Sequence, residues 1–283
     1  MKVFKSKENL RSEIDEFKAK GNSIGFVPTM GALHEGHLSL VKRGFHDNSI
    51  MIVSIFVNPT QFDKAEDLDK YPRTLKRDIS LLETVSKTKI WVYTPSVKDI
   101  YPKKIASEKF TFDGLEHEME GKFRKGHFDG VGTVVKRLLE IIKPHFAYFG
   151  EKDFQQLQII KKLVEKQKLN VNIVGCKIHR EPSGLAMSSR NERLKPNFKV
   201  AAPFIYKTLK KVRQKFKTES AAKVIQWVTQ EFDEHELLEL EYFIIADEKH
   251  LKSVIRKSKK RRYRGFIAAY ADNIRLIDNI ALN

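Results

Sequence analysis

Five short apolar runs, at residues 24–27, 50–57, 90–93, 145–149 and 171–178, punctuate the first two thirds of the chain, and helical patterns separate them. Runs of this length read as buried strands, and their alternation with helices is the rhythm of a parallel sheet. Helices are expected near Leu38, near Leu75 with Leu81 and Leu82 on one face, near Val131 and near Phe154. In such sheets the loops leaving the carboxyl ends of strands build the active site. Those loops carry Pro28, the Asn58-Pro59-Thr60-Gln61 segment and the Gly150-Glu151-Lys152-Asp153 segment. Past Arg193 the texture changes to amphipathic helices at 204–216 and 221–238, followed by strand-like runs at 240–246 and 265–271. The expected architecture is α/β: a Rossmann-like parallel sheet with helices on both faces over residues 1–193, and a smaller α+β domain over residues 194–283.

A chain of 283 residues can bury a large core. Its net charge of +17 raises the question of polyanions, because such an excess of Lys and Arg attracts nucleic acid and ATP alike. Much of the surplus is local, with seven cations in the nine positions from Arg256 to Arg264. A solvated turn between two late strands explains that run more cheaply than nucleic acid binding, so no nucleic acid partner is expected. The single cysteine, Cys176, excludes an intramolecular disulfide and any cysteine-built zinc cluster, which suits a reducing, cytoplasmic setting. The first twenty residues mix Lys, Glu and Asp through their apolar positions, unlike a signal peptide. No stretch approaches the roughly 20 apolar residues of a membrane span, so no membrane partner is expected.

Chemistry concentrates at Met30-Gly31-Ala32-Leu33 and His34-Glu35-Gly36-His37, which follow the first apolar run. The segment reads as a strand, a tight loop and a helix start. Imidazoles three residues apart share a face of the first turn, where backbone N–H groups already favour anions. The spacing lacks the His-Glu-x-x-His pattern of a metal site and offers no third ligand. Gly31 and Gly36 remove side chains where a triphosphate would touch backbone. A second anion-binding element lies at Met187-Ser188-Ser189-Arg190-Asn191. Taken alone, that run is a polar turn or a helix cap. Paired with the upstream His-x-Gly-His, the two resemble the HIGH and KMSKS signatures of class I aminoacyl-tRNA synthetases and related nucleotidyltransferases.

The likeness narrows through motifs that occur in order: residues 28–37, Phe56-Val57-Asn58-Pro59-Thr60-Gln61-Phe62, Tyr71-Pro72-Arg73-Thr74, Gly126-His127-Phe128-Asp129-Gly130-Val131, Phe149-Gly150-Glu151-Lys152-Asp153-Phe154-Gln155-Gln156-Leu157 and Met187 to Asn191. In these the chain resembles the pantothenate synthetases, and Arg275-Leu276-Ile277-Asp278-Asn279 is similar to that family's closing strand.

The resemblance implies an ATP-dependent ligation in which pantoate and ATP give pantoyl adenylate and pyrophosphate, after which β-alanine displaces AMP. It implies catalytic roles for His34, His37, Lys152 and Arg190, with His37 as proton donor. ATP would be lined by Met30 to His37, by Gly150, Glu151, Lys152 and Asp153, by a backbone contact at His179, and by Met187, Ser188, Ser189 and Arg190. Pantoate and β-alanine would meet Gln61, Gln156, Asn58, Phe56, Val131, Val134 and Val135. Glutamine amides suit a reacting carboxylate, because they orient it without the charge pairing that would weaken it as a nucleophile.

Mg2+ is expected with ATP, and Asp78 matches a family position near the metal. Arg124 corresponds to a flap that closes over the reactants. The family also implies a homodimer. The chain departs from the family pattern at Lys125, where proline is general, at Ser183, where an acidic residue is usual, and at Asp63-Lys64, where glycine is frequent. Two other readings stay open: a nucleotidyltransferase that leaves AMP on its product, and a nucleic-acid-binding protein built on the basic run.

Overall fold

The computed structural model describes residues 1–62, 68–254 and 256–283, so Asp63 and Lys64 lie outside the described residues. Strands β1 (Lys2–Phe4), β2 (Ile24–Thr29), β3 (Ile50–Ile55), β4 (Ile90–Tyr93), β5 (Phe146–Gly150) and β6 (Asn172–Cys176) form a parallel sheet in the order β1-β4-β3-β2-β5-β6. Between them run helices α1 (Lys7–Ala19), α2 (Glu35–Gly44), α3 (Leu75–Glu83), α4 (Val97–Ile100), α5 (Met119–Phe123), α6 (His127–Ile142) and α7 (Phe154–Lys166).

Register explains why helices cover both faces. Val27, Val53 and Val92 are paired neighbours on adjacent strands and join one core cluster with Leu38 and Val41 of α2 and Leu82 of α3. Their chain neighbours Phe26, Ile52 and Trp91 are paired in turn and, by the alternation of a strand, face the other way. There Trp91 meets the ring of Phe17 on α1 edge-on at 5.1 Å. All six of these strand residues are buried, as a parallel sheet with both faces covered requires.

Strand β2 is the switch point of the sheet, pairing β3 on one side and β5 on the other. In open parallel sheets the carboxyl ends of the strands flanking such a point face the ligand site; here the 30–37 loop leaves β2 and β5 ends at Gly150. Strand β1 and helix α1 gave no signal in the sequence: β1 is a short, largely exposed edge, and α1 buries only Leu10 and Ile14.

Contacts divide the chain into two compact units, Met1–Glu151 with Gln155–Lys177, and Lys152–Phe154 with Ile178–Asn283. The division at 177/178 precedes the change of texture at 193/194, because the intervening segment belongs to the second core. Arg180 and Ala186 form a β-bridge there, and Leu185 and Leu194 are buried among second-unit residues. The second unit holds helices α8 (Pro196–Ala201), α9 (Phe204–Thr218) and α10 (Ala221–Asp233) and an antiparallel sheet of β7 (Leu238–Asp247), β8 (Tyr263–Ala271) and β9 (Ile274–Ala281). Helix α10 ends before the expected residue 238, since His235 Nδ1 accepts the N–H groups of Leu237 and Leu238 and turns the chain into β7. Residues 256–262 of the basic run are exposed between β7 and β8, whereas Tyr263 and Arg264 are buried in β8.

Leu209 on α9 is fully buried in the second core beside Val212, Val224 and Ile245. Leu209→Ala is expected to cost about 2–5 kcal/mol in urea denaturation, and a cost below about 1 kcal/mol would contradict this packing.

Candidate active site

The loop after β2 is held from beneath by Asp78. This carboxylate, fully buried in the first turn of α3, accepts the N–H of Ala32 at 3.1 Å through Oδ2 and that of Leu33 at 2.8 Å through Oδ1. The Thr74 hydroxyl donates to Oδ1 at 3.1 Å. These bonds hold two successive left-handed residues, Gly31 at φ 86° and Ala32 at φ 49°. A Cβ on Gly31 would stand 3.2 Å from Asp78 Oδ2 and from Ile55 Cγ2, so the position is tight as well as left-handed. Thr29 braces the entry, its hydroxyl donating to the Ser54 carbonyl and accepting the Gly31 N–H.

The turn delivers His34 to the N-cap of α2. Its Nδ1 accepts the Gly36 N–H at 3.1 Å, and His37 Nδ1 accepts the His34 N–H at 3.3 Å, a reciprocal capping box built from imidazoles. An acceptor Nδ1 carries no proton, so in each neutral ring the proton sits on Nε2. The rings lie 4.1 Å apart between centroids, at the positive end of the helix. Met30, Gly36 and both histidines are half-buried, while Glu35 is exposed.

Asp78, expected near the metal, is fully buried and turns both of its oxygens toward backbone N–H groups, where it shapes the loop. The tight Ala32 turn, which would have revealed this, has no signature in the sequence.

The 58–61 turn docks on the first turn of α6. Asn58 is buried, its Nδ2 donating to the Gly130 carbonyl at 3.2 Å while its Oδ1 accepts the Tyr101 hydroxyl at 2.6 Å. A Cβ at Gly130 would lie 2.2 Å from the Thr60 carbonyl oxygen, so only glycine permits this approach. Arg124, expected on a flap, donates to the Gln61 carbonyl at 3.2 Å and lies 3.2 Å from His127 Nε2. Phe56, Val131, Val134 and Val135 are buried; Gln61 and Gln156 are half-buried. Its neighbour Gln155 is the buried one: its amide donates to the Leu115 and Glu118 carbonyls and accepts the Glu120 N–H, tying the 115–120 segment to α7.

In the second unit, Ser188 caps the turn Ser189–Arg193 by accepting the Arg190 N–H at 3.3 Å, so the polar-cap reading of this run holds. Buried Asn191 anchors it through Glu181 Oε1 and the Ala186 carbonyl. Ser183, at a family-departing position, is exposed in the turn closed by the Gly184 N–H on the Glu181 carbonyl. His179 is exposed and its carbonyl accepts the Met187 N–H. Lys152 Nζ lies 3.2 Å from Asp153 Oδ1, and its carbonyl accepts Asn279 Nδ2 at 2.9 Å.

The same strand β9 supplies Asp278, gripped by both guanidinium nitrogens of Arg180 at 2.6 and 2.9 Å. Burial pushes the Asp278 carboxyl up, and Arg180 opposes that shift. Arg264 bonds Asn279 Oδ1 and Glu248 and stacks 4.0 Å over Phe154. The contacts of Arg180, Arg264 and Gln155 have no local signature, because each acts through partners distant in the chain.

Asp78→Asn keeps the shape but turns an amide toward backbone donors. A loss of about 2–3 kcal/mol is expected in urea denaturation, and a change below about 0.5 kcal/mol would contradict the buttress. Cys176, at the end of β6, is pushed up to about 11 by burial, so its thiol stays protonated at neutral pH. Alkylation by iodoacetamide requires thiolate; the native protein should therefore react slowly at pH 8, faster as pH climbs toward about 11, and rapidly once unfolded. Rapid native labelling at pH 8 would contradict the assignment.

Comparison with known proteins shows the family. The family model described as pantoate-beta-alanine ligase matches residues 2–281. The chain is 58% identical to the pantothenate synthetase of Christiangramia forsetii over 283 residues, covering all of both chains. It is 54% identical to that of Flavobacterium psychrophilum over 282 residues, again covering all of both. Among solved structures, the pantothenate synthetase of Thermus thermophilus superposes with a TM-score of 0.91 at 35% identity, covering 100% of this chain and 99% of that one. The pantoate-beta-alanine ligase of Francisella tularensis, complexed with beta-gamma ATP and beta-alanine, gives 0.79 at 35% identity, covering 100% and 98%. From its full-length likeness and its matching sheets, the chain belongs to the pantoate–β-alanine ligase family, the pantothenate synthetases.

Proposed function

We propose that the chain joins (R)-pantoate to β-alanine through a pantoyl adenylate, releasing pyrophosphate and then AMP, with the following division of labour. The observation that supports this most is the imidazole capping box: both Nδ1 atoms accept backbone N–H groups at the helix start, so the proton of each neutral ring is on Nε2. Such donors, with the N-terminus of α2 behind them, suit the charge that builds on phosphate oxygens as pyrophosphate departs. Met30, Gly31, Ala32, Leu33, Glu35 and Gly36 give that pocket its backbone wall.

Lys152 and Arg190 bring cations to the phosphates, and Ser188 and Ser189 bring hydroxyls. Gly150, Glu151, Asp153, Met187 and the backbone of His179 take the nucleoside. Gln61 and Gln156 orient the pantoate carboxylate and hydroxyls, Asn58 holds the turn that carries Gln61, and Phe56, Val131, Val134 and Val135 give an apolar surface to the geminal methyls. Arg124 closes the reaction space, which keeps water from the mixed anhydride. Magnesium enters as the counter-ion of ATP, MgATP being the substrate form. A homodimer in the cytoplasm is the setting the family resemblance implies.

The described residues contain no helix long and apolar enough to cross a membrane. In an assay of purified protein, AMP release should require pantoate, ATP and β-alanine together; AMP retained on the product would favour the alternative nucleotidyltransferase. His37→Ala and Lys152→Ala should each lower kcat by at least about a hundredfold with little change in melting temperature. Near-native turnover in either variant would contradict its role.

A further inference from the structure

His127 opens α6 and is buried, with 6% of its surface exposed, although none of the roles proposed above uses it. Its Nδ1 lies 3.1 Å from the Gln61 carbonyl oxygen, and its Nε2 lies 3.2 Å from a guanidinium nitrogen of Arg124. A carbonyl only accepts and a guanidinium only donates, so Nδ1 must carry the proton and Nε2 must present its lone pair. Both contacts select the same neutral tautomer. A second nitrogen of Arg124 reaches the Gln61 carbonyl at 3.2 Å, which gives that one oxygen two donors.

The rest of the turn is equally constrained. Asn58 is bonded to the Gly130 carbonyl and Tyr101, the Thr60 hydroxyl bonds both Asn58 Oδ1 and Tyr101, and Gly130 lets Thr60 sit against the helix. Gln61 is the last residue of the turn, and its main chain is fixed by His127 and Arg124 together. With its main chain clamped, the direction of the Cα–Cβ bond of Gln61 is set, which limits the side chain to the staggered rotamers about it.

We propose that His127, held as its Nδ1–H tautomer by Arg124, is the positioning residue that aims Gln61 and thereby sets the affinity for pantoate. This rests on the reading of Gln61 as a pantoate contact. Arg124 then has a structural task on the Gln61 carbonyl in addition to any part in closure.

Asparagine and glutamine separate the two ring nitrogens, because the amide nitrogen of asparagine falls near Nδ1 and that of glutamine near Nε2. In steady-state kinetics of the intact enzyme, His127→Ala and His127→Gln should raise KM for pantoate about tenfold, the scale of one lost hydrogen bond to a fixed group. KM for ATP should stay within about twofold, and His127→Asn should restore most of the loss. Equal defects in all three variants, or KM values for ATP and pantoate rising together, would overturn the proposal. Gln61→Ala keeps the two readings distinguishable: if it leaves the pantoate KM unchanged, the reading of Gln61 fails. If it raises that KM while His127→Ala does not, only the role of His127 fails. Should the alanine and glutamine variants not fold, histidine 15N resonances of the native protein decide, with His127 assigned by the signal lost in His127→Asn. Protonated Nδ1 with unprotonated Nε2 supports the proposal, and the opposite tautomer or an imidazolium overturns it.

Discussion

A single buried carboxylate organises the first half of the site. Ala32 in the left-handed region costs on the order of 1–2 kcal/mol, because its Cβ crowds the following carbonyl. Two charge-assisted bonds from backbone N–H groups to Asp78 return about 1.5–3 kcal/mol each, so the strained turn is the stable one. The turn sets where α2 begins, and that start decides which imidazole is N-cap and which is N3. Capping then fixes the tautomer of both rings. One acidic side chain on α3 therefore reaches the protons on His34 and His37 without touching either ring.

The second unit treats Lys152 in a comparable way. Its carbonyl is held by Asn279, whose side chain is held by Arg264, and the neighbouring Asp278 is locked by Arg180. Arg180 lies 3.6 Å from the Tyr206 ring and Arg264 4.0 Å from Phe154. The two guanidiniums are thus sandwiched between aromatic faces and carboxylate or amide partners, an arrangement that Arg supports and Lys does not. Lys152, Asp153 and Phe154 group with the C-terminal sheet by contact although they directly follow β5 and Glu151 in sequence.

The parallel sheet was legible because β2 to β5 are largely apolar, buried runs, the pattern that burial on both faces imposes. Strand β1 was not, since three residues at an edge carry no period, and the end of α10 was not, since a histidine cap stops it where apolar spacing alone would continue. At the candidate site, the loops follow the carboxyl ends of β2, β3 and β5, as the strand-end rule anticipates, and the roles of their side chains rest on the family motifs. What each side chain does was less accessible. Asp78 reads as an ordinary acid in a helix's first turn, and its buttress role depends on a loop some forty-five residues earlier in the chain. His127 carried no independent signal, because its tautomer is a property of Arg124 and Gln61 together.

The claim on which the mechanism turns is that a loop shaped by Asp78 activates ATP toward pantoate before β-alanine takes part. It is tested most directly by exchange of labelled pyrophosphate into ATP, with pantoate present and β-alanine withheld, in the native enzyme and in Asp78→Asn. Pantoate-dependent exchange is expected in the native enzyme, with a fall of at least about a hundredfold in the variant under conditions where it remains folded. Exchange at the native rate in Asp78→Asn, or none in the native enzyme, would contradict it.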